Sequence, residues 1–596
     1  MTPSKSRFFR QHRSLSVAVQ RRLELNDSAG IRLTKSVRSI AIEEGGYENM
    51  GCLASDCRRH VQNARNLRLG EGDARAMLKL FENMKKENED FFYAYDFDDD
   101  GRLTNVLWVD ARSRAAYKEF GDVITFDTTY LLNKYNMPVA PFVGINHHGQ
   151  SILFGCALVS KEDTETFVWL FSRWLECMKS PPATVITDQC QSMRNAIEKF
   201  FPDARHRWCI WHILKKVPQK LGSHDMFDEL CNTLKKCVYE PLSIEEFEES
   251  WKNMIIEFNL ENNEWLEELY QLAPKWIPVF VNDTFWAGML STQRSEGMNA
   301  YFDGYLNPTS TLKQFLEQYQ VALKDKIEKE MLADCRSCVA PIQCALSMEF
   351  EEQFQCIYTN EKFEAVQEQL VATVHCFEKV EDIDGERTTY LVQDRGRVLY
   401  DRLKKREFKV IYDQNSGDVS CNCRMFEFKG ILCRHIFHVL MRNEVEVIDA
   451  KYITQRWRKD ICRVYSKIKV GYVGEVSSGE MDRFAYLDKR LKRLANSASE
   501  HDGKFQHLVN CIHETEKLFD EWEDEVPSSQ EATFVSGDQC LDSSRALAVL
   551  QDPVVAQTRG RPKSKRIPSS WEGRKKKSKR ARTTFQTPTM KTSEVR

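Results

Sequence analysis

"VITFDTTYLLNKYNMPVAPFVGINHHGQSILFGCALVS", residues 123–160, decides how the chain is read. It holds three apolar runs of strand length: VITFDTTY (123–130), MPVAPFVGIN (137–146) and SILFGCALVS (151–160). The links between them are short, the first carrying Asn and Lys, the second HHGQ. Apolar runs joined by such links predict a three-stranded antiparallel meander.

Working outward, TETFVWLFSRWLECM (164–178) predicts a helix with Thr164 at its N-cap. ATVITD (183–188) predicts a buried strand, and QSMRNAIEKFF (191–201) a helix behind it. Three strands, a helix, a strand and a helix are the element order of an RNase H-like α/β fold. After HRWCIWHILKKV, residues 221–330 are rich in Glu, Lys, Leu and Trp and read as a helical insertion. Upstream, GDARAMLKLFENMKKENED (72–90) places Ala76, Leu78, Leu80, Phe81 and Met84 near helical spacing. FFYAYDF, the turn DDDG and RLTNVLWVD then read as a hairpin. Residues 1–70 are polar with weak periodicity, and 331–385 read as helical and acidic.

A second stretch carries different chemistry. SCNCRMFEFKGILCRHIFHVL (420–440) sets Cys421-x-Cys423 nine residues before Cys433-x-His435. A one-residue gap puts Cys421 and Cys423 on one face of an extended strand. CRHIFHVLMR reads as a helix, so Cys433 and His435 sit at its first turn and point back. Two thiol/imidazole pairs at this distance suit tetrahedral Zn2+, with bonds of about 2.0–2.3 Å. Four protein ligands leave no open position, so the zinc is expected to be structural. His438 can compete as a ligand and ranks below His435. Cys335-x-x-Cys338 lacks a second pair, and Cys52, Cys57 and His60 lie in a polar region; both groupings read as coincidence.

The bulk properties bound the class. A chain of 596 residues with 42% hydrophobic content is globular and too long for one core. No apolar run approaches the roughly 20 residues that span a bilayer, so no membrane partner is expected. MTPSKSRFFRQHRSL is basic without an apolar stretch behind it, unlike a secretory signal. The 19 cysteines are therefore read as reduced thiols, and clusters of them as metal sites. The net charge of −3 conceals an asymmetry: residues 559–582 hold twelve Lys/Arg against Glu572 alone, which is +11 and leaves −14 elsewhere. In that tail Arg559, Gly560, Arg561 and Pro562 form the core of an AT-hook. An extended Arg-Gly-Arg can lie along the narrow A·T minor groove, though a basic linker has the same composition. Arg574, Lys575, Lys576, Lys577, Lys579 and Arg580 read as a nuclear-localisation signal, which implies a nuclear protein with DNA as a partner. Residues 500–523 read as an amphipathic helix with Phe505, Leu508, Val509, Ile512, Phe519 and Trp522 on one face. That face is either a pairing seam or packing within its own domain.

The strands also position acids. Asp127 and Asp188 end the first and fourth strands, which are neighbours in an RNase H-like sheet. With Glu296 in STQRSEGMNAYFDGY they make a set of three carboxylates. Such a set can hold two Mg2+ or Mn2+ ions about 3.5–4 Å apart and activate water or a 3′-hydroxyl for attack on a phosphodiester.

DVITFDTTY, PFVGINHHGQSILFGCALVS, VITDQ, FPDARHRWCIWHI, DTFWAGM and QRSEGMNAYFDGY together resemble the transposase domain of Mutator-like elements. They are most similar to the plant far-red-impaired-response and far-red-elongated-hypocotyl family, from about residue 8 to 470. The resemblance implies a transposase-derived regulator of transcription in light-responsive plant development, with a SWIM zinc finger at 421–435. It implies Asp127, Asp188 and Glu296 as DDE positions retained without DNA cutting, so no enzyme; the alternative is an active DDE transposase. It also matches Cys209 and His212 to the family's C-x-x-H signature, although a lone pair of this kind is more often packing than metal.

Relatives of this kind usually begin with a Cys/His DNA-recognition domain. Here only His12 matches a ligand of it, so that domain is expected to be missing and residues 1–70 to be a remnant. A short chain of this kind could antagonise full-length relatives by pairing with them, as a homo- or hetero-oligomer. The expected layout is then: 71–120 helix and hairpin; 121–330 transposase domain with insertion; 331–400 connector; 401–445 SWIM-type finger; 446–523 helical region; 524–596 disordered basic tail.

Overall fold

A computed structural model describes residues 8, 13–69, 72–128, 133–289, 291–302, 310–346, 348–395, 406–468, 479–499 and 501–520. His12, Trp522, the AT-hook core and the basic run 574–580 lie outside the described residues.

The meander forms as the pattern requires. Strands β3 (Val123–Phe126), β4 (Val139–Ile145) and β5 (Ser151–Leu158) pair antiparallel in sequence order. Two further strands, β6 (Thr184–Thr187) and β7 (Arg205–Trp208), add in parallel on the β3 side. A parallel neighbour needs a crossover, and the helix Gln191–Phe200 supplies it between β6 and β7. The order β5-β4-β3-β6-β7 is that of an RNase H-like core.

On the other edge the sheet is larger than the meander alone. The hairpin β1 (Phe92–Phe97) and β2 (Leu103–Val109) joins it through β2, antiparallel to β5. The result is one seven-stranded sheet, β1-β2-β5-β4-β3-β6-β7. The hairpin is therefore part of the core layer. Its sequence shows why: Val106, Leu107, Trp108 and Val109 are buried in succession, so this strand is covered on both faces.

Helices cover both sides. The amphipathic helix Asp73–Glu87 buries Met77, Leu78, Phe81 and Met84 against one face, together with the long helix Leu312–Val339. The helix Thr164–Met178 buries Phe167, Leu170, Phe171 and Trp174 against the other, where Trp174 stacks on Phe142 at 4.6 Å. Its N-cap is Asp163 rather than Thr164: the Asp163 carboxylate accepts the Thr166 amide, and Thr164 is the first helical residue. A carboxylate one residue earlier satisfies the same orphan amides and suits the helix dipole better.

After β7, four helices between Ile210 and Gln271 build the insertion around their own core of Trp208, Leu230, Trp251 and Trp276. Residues 13–69 contain three helices, Val17–Ser28, Leu33–Glu43 and Ala54–Leu69, around Leu23, Val37, Ile40, Met50 and Cys57. Weak periodicity in 1–70 thus hid a small bundle.

The second sheet, β11 (Val419–Cys421), β10 (Arg406–Asp413), β9 (Arg387–Asp394) and β8 (Cys376–Asp384), is antiparallel throughout. It carries the cysteine cluster and is not a free module. Its core runs on through Trp286, in the loop after the insertion, to Val123, Ile145 and Ile186 of the first layer. Arg456, almost fully buried, ion-pairs with Asp122 and donates to the carbonyls of Ile145 (2.6 Å) and Phe120 (3.4 Å). The Trp286 amide donates to the Phe428 carbonyl at 3.1 Å.

Beyond this body the helices Gly479–Ser499 and Asp502–Asp520 pack on each other. Phe505, Ile512 and Phe519 stay exposed.

Candidate metal centres

In the cysteine cluster, Cys421 ends β11, and Cys423 follows in the turn before a short helix, Met425–Lys429. Cys433 caps the helix Arg434–Arg442, and His435 stands in its first turn. One ligand atom from each of Cys421, Cys423, Cys433 and His435 lies within 4.8 Å of all the others. The Cys421 Sγ to His435 Nδ1 distance is 3.6 Å. The other ring nitrogen, Nε2, faces the Asp394 carboxylate on β9 at 3.4 Å, and the Phe408 ring stacks on the imidazole at 3.8 Å. A carboxylate on the far nitrogen fixes the tautomer and orientation of a metal-binding imidazole.

His438 points elsewhere, to the Glu378 carboxylate. Burial, then the neighbouring thiols, push the Cys433 thiol well above its ordinary value. A divalent cation reverses that penalty, because thiolates bound to it need no proton. The donor set, its closure and the Asp394 carboxylate behind His435 all fit structural zinc.

The acids meet at the other end of the molecule's logic, the carboxyl ends of two parallel strands. In the β3–β6 register Val123 faces Thr184, Ile124 faces Val185 and Thr125 faces Ile186. Continuing it brings Asp127 beside Asp188. Between β3 and β6 the sheet changes from antiparallel to parallel pairing, and crevices outside the carboxyl ends of such strands are where open α/β sheets place ligands. Glu296 arrives from the helix Gln293–Phe302, which Ser295 ties to Thr125 by a buried hydroxyl contact of 3.1 Å.

Asp127 is only 7% exposed. Burial, then the charges of Asp188 and Glu296, push its carboxyl up to about 7. Asp188 is also raised, mainly by burial, while its Oδ1 accepts the Cys190 amide at 3.0 Å. Among the described residues the tightest grouping here is Asp127, Glu296 and His212, within 4.8 Å of one another, and Asp188 is not in it. His212 Nε2 lies 3.5 Å from Glu296 Oε1.

His212 and Cys209 hold the turn before Glu296: Cys209 Sγ accepts the Thr292 amide, and His212 Nδ1 contacts the Thr292 hydroxyl. The Thr128 hydroxyl donates to Glu162, whose charge also raises Asp127. Glu162 was not legible as a site residue, because it sits in the polar loop after β5 without a motif; His212 was marked only by C-x-x-H spacing.

These two constellations coincide with two known families of sequence. Residues 123–216 match the MULE transposase domain, and 408–441 match the SWIM zinc finger. Over 511 residues the chain is 34% identical to "Protein FAR1-RELATED SEQUENCE 6" of Arabidopsis thaliana, covering 85% of this chain and 72% of that one. The chain belongs to the FAR1-related family. It is also 35% identical to Arabidopsis thaliana "Protein FAR-RED IMPAIRED RESPONSE 1" over 87% of this chain, and 36% identical to "Protein FAR1-RELATED SEQUENCE 5" over 77%. It spans 62% and 58% of the lengths of those two relatives. In this FAR1-related chain the SWIM match covers all four cluster ligands, and the MULE match covers Asp127, Asp188 and His212 but ends before Glu296. The helical insertion explains that gap: about 80 residues separate His212 from the third acid. Among the described residues no helix is long and apolar enough to cross a membrane.

Proposed function

We propose that this chain is a nuclear, DNA-binding regulator of transcription, derived from a transposase, that no longer cuts DNA. Light-responsive plant development is its setting, as the name of its relative FAR-RED IMPAIRED RESPONSE 1 suggests. The observation that carries the reading is the family relationship over 87% of the chain, joined to an RNase H-like sheet whose core continues into the zinc finger. Cys421, Cys423, Cys433 and His435 hold structural zinc and so fix the finger against the sheet. The AT-hook core at 559–562 and the basic run at 574–580 supply phosphate and minor-groove contacts and nuclear entry. Pairing with family relatives is part of the proposal.

Absence of cutting is part of the reading that the family relationship carries; among the described residues the tight grouping is Asp127, Glu296 and His212, and Asp188 Oδ1 accepts the Cys190 amide. The alternative, an active DDE transposase, draws on the mutual electrostatic influence of Asp127, Asp188 and Glu296 and would require Mg2+ or Mn2+.

Deleting 559–582 tests the regulatory reading. Loss of nuclear accumulation and a flatter salt dependence of DNA binding are expected. Unaltered localisation together with unaltered binding would refute it.

A further inference from the structure

A third group of ligand-type side chains lies outside both centres. The link between β4 and β5 is the turn Asn146-His147-His148-Gly149-Gln150. Its Gly149 amide donates to the Asn146 carbonyl at 3.0 Å, and Gly149 has φ +81°. The His148 and Gln150 amides both donate to Asn146 Oδ1, at 3.1 and 2.9 Å. This tight loop brings two consecutive imidazoles to one side, with ring centroids 4.1 Å apart.

Both Nε2 atoms reach one oxygen. Asp334 Oδ1, on the helix Leu312–Val339, is 2.7 Å from His147 Nε2 and 2.8 Å from His148 Nε2. His148 Nδ1 faces Glu361 Oε2 on the helix Asn360–Val371 at 3.0 Å. The surroundings are fixed as well. Phe120 lies parallel to His147, and the Thr359 hydroxyl donates to the His147 carbonyl at 3.0 Å.

With hydrogen bonds alone, both Nε2 atoms must carry protons to satisfy Asp334. His148 is then doubly protonated whenever Nδ1 also serves Glu361, held between two carboxylates with its side chain 0% exposed. A divalent cation can take the place of the Nε2 protons between the two imidazoles and Asp334. Nδ1–H of His148 donates to Glu361, and the bare Nε2 faces the ion. A carboxylate on the outer nitrogen of an imidazole is the usual companion of a metal-bound histidine.

We propose that His147, His148 and Asp334 form a second zinc site in this chain, with Glu361 orienting His148. Two imidazoles and a carboxylate suit Zn2+ and leave a fourth position for water. Asp334 is 41% exposed, so the group is reached from solvent on its carboxylate side. The ion joins three segments that are far apart in sequence: the central meander, the long helix after the third acid, and the helix that leads into the finger's sheet. The inference is independent of the regulatory reading, since it concerns metal content and not DNA.

The untagged full-length chain is saturated with Zn2+, freed of excess metal by gel filtration and analysed for zinc. Two zinc ions per chain are expected. His148→Ala and Asp334→Ala should each leave one, while Co2+ substitution still gives the thiolate charge-transfer absorption of the finger. Glu361→Gln should keep both ions at saturation but weaken the second by roughly 10–100-fold. One zinc per chain in the unmodified protein, or zinc content unchanged by both alanine variants, would overturn the site. Should the alanine variants not fold, the Glu361→Gln affinity decides alone: a change below about threefold overturns it.

Discussion

The finger and the acid crevice make opposite use of buried charge. The finger gathers three thiols and an imidazole at closing distance, with a carboxylate behind the histidine. Without a cation that arrangement is costly, and four ligands leave no room for a substrate. The crevice gathers carboxylates at the carboxyl ends of two strands, one of them pushed up to about 7 by burial and its neighbours. There the fold tolerates unfavourable charge without a closed set of four ligands. One centre has the donor set of a structural zinc site; the other has carboxylates that, on the reading proposed above, descend from metal-dependent chemistry.

The largest effect should come from unmaking the closed centre. Cys423→Ser combined with His435→Ala removes one zinc per chain and with it an apparent binding energy of about 10 kcal/mol. Limited proteolysis should then cut within 408–441, a region expected to be protected in the unmodified protein; protection retained after zinc loss would break the comparison.

Next is the bolt between the two regions. Arg456→Ala leaves buried carbonyls of Ile145 and Phe120 without their donor. A loss of about 2–4 kcal/mol is expected in chemical denaturation, mostly from the two unsatisfied carbonyls, since Asp122 is 44% exposed. A change below about 1 kcal/mol would mean that the finger is only loosely attached.

The crevice predicts the reverse sign. Because the Asp127 carboxyl is raised in the folded state, the fold binds this proton more tightly than the unfolded chain does. Its contribution is most favourable below about pH 4, declines as pH rises, and is lost above about pH 7. Asp127→Asn should therefore stabilise the protein by up to about 4 kcal/mol at pH 8 in chelator and have little effect near pH 4. Melting temperatures at the two pH values check this; destabilisation at pH 8 would show a carboxylate with a structural role.

The smallest effect belongs to His438. Its partner is Glu378 at a partly exposed position, so His438→Ala should cost less than about 1 kcal/mol and leave zinc content unchanged.

Much of this was legible in the sequence, for physical reasons. Residues 123–160 alternate strand-length apolar runs with short polar links, and a two-residue repeat of cysteine admits few interpretations. The positions of Asp127 and Asp188 followed from strand ends. Long-range geometry was not legible. Nothing local announces that β2 pairs with β5, since that contact is fixed by burial of Val106–Val109 on both faces. The bundle in 13–69 was obscured because its small core is spread among many charged residues. His212 and Glu162 enter the crevice from a helix and a loop, where the decisive spacing is in space. His147 and His148 stood in plain view in HHGQ, yet their partners Asp334 and Glu361 lie almost 190 and 213 residues further on.

The central claim, a transposase core that binds DNA without cutting it, is tested most directly by incubating the full chain with labelled DNA in Mn2+ and resolving the strands. The account predicts retention of DNA in complex with no nicked or joined products, the same for the unmodified protein and Asp188→Asn. Cleavage by the unmodified protein that disappears in Asp188→Asn would contradict it and establish a working DDE site.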